Sequence, residues 1–118
     1  RSTADFARYA ARLHTNGFLH RDFSAGNILF DLVGDRYHFT LLDTNSVKWG
    51  KAVTAEKGCA NFARLVGTPM FFERLAHHYA ALRKADSAQC LAWILEACDE
   101  YRRRPHPHHN NITGIVEA

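Results

Sequence analysis

The chain lacks a long apolar run, a cysteine pair and a glycine-rich phosphate loop, and the first two absences argue against a membrane-spanning protein and a disulfide-bonded one. No segment approaches the roughly 20 apolar residues of a membrane-spanning helix, and no signal-peptide pattern opens the chain. Cys59, Cys90 and Cys98 are far apart and form no Cys-x-x-Cys pair. This favours reduced thiols in a cytosolic protein over a disulfide framework.

Strong charge of one sign is also missing. The 118 residues carry a formal net charge of +3 with eight His counted as neutral, which does not by itself indicate nucleic-acid binding. Hydrophobic residues make up 47% of the chain, so its composition supports a buried core rather than intrinsic disorder. The length suits one small domain or part of a larger one.

The periodicity of apolar residues predicts an α+β fold that is mainly α-helical. Residues 3–16 have the helical repeat, and Gly17 is a typical stop after it. Two short apolar or β-branched segments, 28–31 and 37–43, flank the turn signal Gly34-Asp and predict a β-hairpin.

Three more helices are predicted after the hairpin. Thr68-Pro69 is a typical helix start for the second, and Asp86 or Ser87 can cap the third. The inward-facing residues are predicted to be Cys59, Phe62, Ala63 and Val66 in the first helix, Phe72, Leu75, Ala76, Tyr79 and Leu82 in the second, and Leu91, Ile94, Leu95 and Cys98 in the third.

Pro105 ends the last predicted helix. We therefore predict one domain over residues 1–104 and a His-rich tail over residues 105–118. The tail lacks the i, i+4 spacing that would aim two imidazoles at one ion, and no Cys or acidic pattern supports zinc, so a polar loop is favoured there.

The segment FLHRDFSAGNILF interrupts an apolar stretch with polar groups between the first helix and the hairpin. Residues 20–22 read His-Arg-Asp, Asn27 follows five residues after the Asp, and Asp43 ends the hairpin. This is the spacing His-Arg-Asp-x-x-x-x-Asn of a kinase catalytic loop. Phosphoryl transfer needs a base beside the acceptor hydroxyl and oxygen ligands for Mg²⁺. Each residue alone is commonly a turn, cap or core residue, but the joint pattern favours the catalytic interpretation.

Two longer segments, LHTNGFLHRDFSAGNILF and YHFTLLDTNSVKWG, resemble the protein-kinase-like superfamily. They resemble more closely the bacterial lipopolysaccharide kinases, which phosphorylate inner-core sugars (heptose or 3-deoxy-manno-octulosonic acid). The resemblance is strongest over residues 4–50 and continues more weakly through NFARLVGTPMFFERLAHHYAALR. It implies a kinase C-terminal lobe, in which Asp22 is the catalytic base and Asn27 and Asp43 bind ATP-associated Mg²⁺. His20 and Arg21 complete the catalytic loop.

The chain departs from the kinase pattern at several positions. Asp43-Thr-Asn replaces Asp-Phe-Gly, as in small-molecule and sugar kinases, so the Phe switch of protein kinases is absent. Similar bacterial sequences carry Asn-Arg-Met next, whereas residues 45–47 read Asn-Ser-Val and contain no Arg. Ser24 stands where kinases of Ser or Thr place a Lys, which argues against a protein-Ser/Thr substrate.

Half of a kinase nucleotide site has no counterpart in this chain. Only nineteen residues precede His20, and they predict a single helix. The glycine-rich loop and the Lys that kinases place before the catalytic loop are therefore expected upstream, in a longer protein. We expect the chain alone to bind ATP poorly and to be inactive.

The resemblance implies a cytoplasmic phosphotransferase that uses ATP and Mg²⁺ on a sugar or lipopolysaccharide-precursor acceptor, without nucleic acid. The basic run 102–104 also suggests peripheral contact with the inner face of the inner membrane, although such charge more often compensates a helix dipole. Two alternatives stay open. One is an aminoglycoside- or choline-type kinase, disfavoured because those often show His-Gly-Asp. The other is a non-catalytic kinase-like module that binds a partner.

Overall fold

The computed structural model describes residues 2–105, so the predicted His-rich tail lies outside the described residues except for Pro105. The elements in chain order are helix α1 (Ser2–Thr15), strands β1 (Phe18–His20), β2 (Ile28–Val33), β3 (Arg36–Leu41) and β4 (Val47–Trp49), and helices α2 (Ala55–Ala60), α3 (Pro69–Arg83) and α4 (Ser87–Arg103). Single 3₁₀ turns lie at Ala25–Asn27 and Thr44–Ser46. The predicted α+β class, mainly α, is confirmed.

The predicted hairpin is β2 and β3, which pair antiparallel with Ile28 opposite Leu41 and Val33 opposite Arg36. Gly34 has a positive φ of 65° in the connecting turn, a conformation that glycine adopts without steric cost. The second strand ends at Leu41, two residues before the predicted end.

A second two-stranded ribbon, β1 with β4, was not predicted. Phe18 pairs with Trp49 and His20 with Val47. Gly17, at φ 86°, lets the chain leave α1 and approach Gly50 so closely that a Cβ would overlap the Gly50 carbonyl oxygen. The ribbon brings the start of the polar segment against the residues that follow Asp43.

The helices enclose a core of aromatic side chains. Phe6 stacks on Phe23 with ring centroids 5.7 Å apart, and Phe62 meets Tyr79 edge-on at 5.2 Å. All four of these rings are fully buried. Because Phe23 directly follows Asp22 in the chain, its packing in the core holds the polar loop in place.

Three residues predicted to face inward are instead exposed: Val66, Leu82 and Leu95. Helix α2 ends at Ala60 and turns follow it, so Val66 lies beyond the predicted helical repeat. Leu82 lies in the last turn of α3. In α4 the buried residues are spaced four apart, at Cys90, Ile94 and Cys98. The buried face of this helix is therefore narrower than the predicted face, and Leu95 lies outside it.

The three cysteines are buried free thiols, as predicted, and burial raises the pKa of each. Trp49 is largely exposed, and its ring stacks on that of Phe18 with centroids 5.5 Å apart. Within residues 2–105, no helix combines the length and apolar character needed to cross a bilayer.

Candidate catalytic site

His20 is buried and connects the polar loop to the end of the hairpin through hydrogen bonds of both ring nitrogens. Its Nε2 donates to the carbonyl oxygen of Leu42 at 2.8 Å, and its Nδ1 accepts from the backbone N–H of Asp22 at 3.0 Å. These two bonds assign the neutral tautomer with the proton on Nε2. The imidazole is 2% exposed, so its contribution is to position the loop rather than to meet a substrate.

Asp22 and Asn27, predicted as base and metal ligand, lie in direct contact. Asn27 Nδ2 donates to Asp22 Oδ2 at 3.0 Å and to the Asp22 carbonyl oxygen at 2.9 Å. The 3₁₀ turn Ala25–Asn27 brings them together across five positions. Because the nitrogen makes both bonds, the amide oxygen of Asn27 is the atom that can ligate a metal.

Asp43 occupies a strained turn beside the same loop. Its backbone is left-handed, with φ 55° and ψ 58°, a conformation that costs a non-glycine residue about 1–2 kcal/mol. The preceding residue, Leu42, donates its N–H to the carbonyl oxygen of Asn27 at 2.8 Å and accepts from His20. Strain of this kind concentrates at functional sites, which favours a functional role for Asp43.

The Asp43 carboxylate points into its own turn. Its Oδ2 accepts from Ser46 Oγ at 2.9 Å, and the Ser46 carbonyl oxygen accepts from the backbone N–H of Arg21 at 2.8 Å. The structure thus joins Asp43 to the loop through backbone contacts on both sides of it. Arg21 takes part through its backbone, and its side chain is exposed.

Asp22 also has a partner that sequence reasoning missed. Arg64 Nη1 lies 3.2 Å from Asp22 Oδ1, and Ser24 Oγ donates to the same oxygen at 3.3 Å. No local motif could have indicated Arg64, which lies 42 positions along the chain from Asp22.

A buried polar network supports the loop from the core. His14 bonds Tyr79 through Nδ1 at 2.8 Å and Asn61 Oδ1 through Nε2 at 2.9 Å. Asn61 Nδ2 then donates to the carbonyl oxygen of His20 at 2.9 Å. Desolvation lowers the pKa of His14 to about 4, so the imidazole is neutral at pH 7. Apart from the residue types, no sequence pattern indicated this network.

The donor set fits Mg²⁺ better than a softer metal. Asn27 and Asp43 offer one amide and one carboxylate oxygen, and Mg²⁺ typically takes one or two protein ligands, with waters and substrate phosphates completing its coordination. Among residues 2–105 there is no group of three or more His, Cys, Asp or Glu side chains of the kind that holds a metal without substrate.

Comparison of the chain with protein-family models and with curated proteins found no match. The resemblance to lipopolysaccharide kinases therefore stays a prediction.

Proposed function

We propose that the chain is the C-terminal catalytic lobe of an ATP- and Mg²⁺-dependent phosphotransferase that acts on a sugar hydroxyl of the lipopolysaccharide inner core. The observation that carries the proposal is the pairing of Asp22 with Asn27. The strained Asp43 lies beside this pair, because the residue before it, Leu42, donates its backbone N–H to Asn27. A structural Asp–Asn pair alone would not require a third polar residue in a left-handed turn beside it.

Each residue has a distinct part in the proposed reaction. The Asp22 side chain is 44% exposed, so its carboxylate can accept a hydrogen bond from an acceptor hydroxyl and take its proton as the phosphoryl group is transferred. Asn27 and Asp43 would hold Mg²⁺, which neutralises charge on the phosphates when bound. His20 holds the loop of Asp22 and the turn of Asp43 at a fixed separation, because it bonds to the backbone of both Asp22 and Leu42.

The exposed apolar residues of the hairpin support the view that a further lobe completes the site. Leu29, Phe30, Leu32 and Val33 of β2 are each more than half exposed. Because successive residues of a strand point to opposite faces, these four side chains leave apolar surface exposed on both faces of β2, and exposed apolar surface of this kind can mark an interaction site. In the proposal, an upstream lobe with the glycine-rich loop and the Lys packs over this strand and closes the nucleotide site.

The proposal is tested with the chain extended by the upstream sequence of its gene. Release of ADP is measured in a coupled assay with heptose or 3-deoxy-manno-octulosonic acid acceptors, and binding of Mg²⁺–ATP is measured by calorimetry. Asp22→Asn should remove most phosphotransfer while nucleotide binding stays nearly intact, because the interaction with the acceptor hydroxyl matters mainly in the transition state.

Asp99→Asn is the matched control, since Asp99 is an exposed carboxylate on α4, away from the candidate loop and from β2. It should leave both measurements unchanged. Full activity in Asp22→Asn would refute the assignment of Asp22 as base. Tight binding of Mg²⁺–ATP by the 118-residue chain alone would refute the expectation that an upstream lobe is needed to complete the nucleotide site.

A further inference from the structure

Arg64 contacts the candidate base from outside the catalytic motif. Its Nη1 is 3.2 Å from Asp22 Oδ1, and its guanidinium lies over the ring of Tyr101 in α4, 4.9 Å from the ring centroid. A planar guanidinium can stack on an aromatic ring and donate to a carboxylate at the same time. Two separate elements therefore fix the direction of this side chain.

The backbone of Arg64 is also firmly placed. Phe62 and Leu65, on either side of it, are 0% and 3% exposed, and Asn61 binds the carbonyl oxygen of His20 in the same turn. Arg64 itself is 40% exposed in its side chain. The turn after α2 thus presents one cation to the solvent-facing side of Asp22.

Stability does not account for this contact. An ion pair between two side chains that are each about two-fifths exposed contributes at most about 1 kcal/mol. The loop, in contrast, lacks a cation where kinases of Ser or Thr carry one, because Ser24 occupies that position, and residues 45–47 supply no Arg either.

The described hydrogen bonds of Asp22 also divide its two oxygens into different roles. Oδ1 accepts from Ser24 Oγ and from Arg64 Nη1, whereas Oδ2 accepts from Asn27 Nδ2. A carboxylate oxygen has two lone pairs, so among the described contacts Oδ1 is filled and Oδ2 keeps one acceptor site. Arg64 and Ser24 together therefore leave Oδ2 as the oxygen with an open acceptor site among the described contacts.

We propose that Arg64 is the positioning residue of Asp22: it orients the carboxylate so that Oδ2 faces the acceptor hydroxyl, and it supplies a positive charge at the carboxylate, where Ser24 provides none. This inference rests on the proposed phosphotransferase function. Tyr101 supports it by stacking on the guanidinium.

One experiment does not depend on activity. In the 118-residue chain, the side-chain amide signals of Asn27 report its bonds to Asp22 by NMR. Arg64→Gln should shift or broaden these signals because Asp22 is freed to rotate, and Arg64→Lys should restore them in part. Arg103→Gln, which removes an exposed Arg paired with Asp99 at 3.6 Å, is the control and should leave them unchanged.

A second experiment uses the same variants in the extended, active protein. Arg64→Gln should lower kcat by about 100-fold, the scale of a misoriented catalytic group, with KM for ATP changed far less. Tyr101→Leu should give a smaller loss in the same direction. Equal unfolding temperatures of the variants would exclude a folding defect.

The two readouts separate the two proposals. Unchanged Asn27 signals in Arg64→Gln, or a kcat within twofold of the wild type, would overturn the positioning role. If the wild type transfers phosphate to no sugar but the Asn27 signals respond as expected, the proposed function fails while the orientation of Asp22 by Arg64 stands.

Discussion

The stability of the fold in acid is expected to depend on one buried imidazole. His14 is 1% exposed and is packed among the rings of Phe23, Phe62 and Tyr79, with centroids 5.7–6.3 Å away. Desolvation in this setting lowers its pKa from 6.5 to about 4. Lowering the pH therefore protonates the unfolded chain before it protonates the folded one.

The hydrogen bonds explain why the folded state resists the proton. Asn61 uses its nitrogen to donate to His20, so its oxygen accepts from His14 Nε2–H. Arg83 donates to the Tyr79 oxygen, so the Tyr79 hydroxyl donates to His14 Nδ1. A proton on Nδ1 would turn that acceptor into a second donor and place a charge in an aromatic core.

The size of the effect follows from proton linkage. The pKa of His14 is about 4 in the folded chain and about 6.5 in the unfolded chain. The folded state therefore keeps its full stability above pH 6.5 and loses stability as the pH falls toward 4, because the unfolded chain binds the proton more readily. Each pKa unit corresponds to about 1.4 kcal/mol. The loss from His14 reaches about 2 kcal/mol at pH 5 and approaches about 3 kcal/mol below pH 4, a large part of a typical total of about 5–15 kcal/mol.

Urea unfolding of the 118-residue chain at pH 7.5, 6, 5 and 4.5 measures this loss. Relative to a His14→Gln variant, which cannot titrate, the wild type should lose about 2 kcal/mol more between pH 7.5 and 5. His38→Gln removes an exposed histidine of β3 and should keep the wild-type slope.

Parallel pH profiles of the wild type and His14→Gln would refute the reasoning. If the variant does not fold, an NMR titration of the His14 ring protons in the wild type decides the matter. These signals should not shift between pH 7.5 and 5.5, and a midpoint near 6.5 would contradict the lowered pKa.

Two further predictions concern the metal site and the packing of the network. Asp43→Asn in the extended protein should weaken Mg²⁺-dependent ATP binding as well as turnover, because a metal ligand stabilises the ground-state complex too; unchanged calorimetric affinity would argue against Asp43 as a ligand. Gly58→Ala should destabilise the chain by more than about 2 kcal/mol in urea unfolding, since a Cβ there would overlap the buried Tyr79 hydroxyl. Gly26→Ala, where a Cβ meets no atom within 4 Å, is the control, and equal losses in the two variants would contradict the overlap.

The parts of the site that sequence predicted are those set by local geometry. Asp22 and Asn27 are five positions apart, and a single 3₁₀ turn between them is enough to bring their side chains into contact. The hairpin was predictable for the same reason, because the turn at Gly34 fixes its register. The backbone bond from Leu42 to Asn27 then follows from that register, since it continues the ladder by one step.

The parts that sequence did not predict depend on contacts between distant segments. Strands β1 and β4 are three residues long, too short for an alternating pattern to stand out. The contact of Asn61 with His20 spans 41 positions and arises because α2 stops at Ala60 and the chain turns. The prediction continued the helix through that turn. Because of this error, the contacts of Asn61 with His20 and of Arg64 with Asp22 were not expected.

The turn after α2 therefore links the two sides of the candidate loop. Asn61 reaches the carbonyl oxygen of His20 from the buried side, and Arg64, three residues later, reaches the carboxylate of Asp22 from the exposed side. Sites of this kind function well when rigid elements support the groups that contact substrate. Protonation of His14 would break its bond from Tyr79 and destabilise the core that holds Asn61, whereas replacement of Arg64 would act on the orientation of Asp22 while the core stays intact. An effect of Arg64→Gln on catalysis at pH 7.5 without a change in unfolding free energy would accordingly distinguish orientation of the base from general support of the loop.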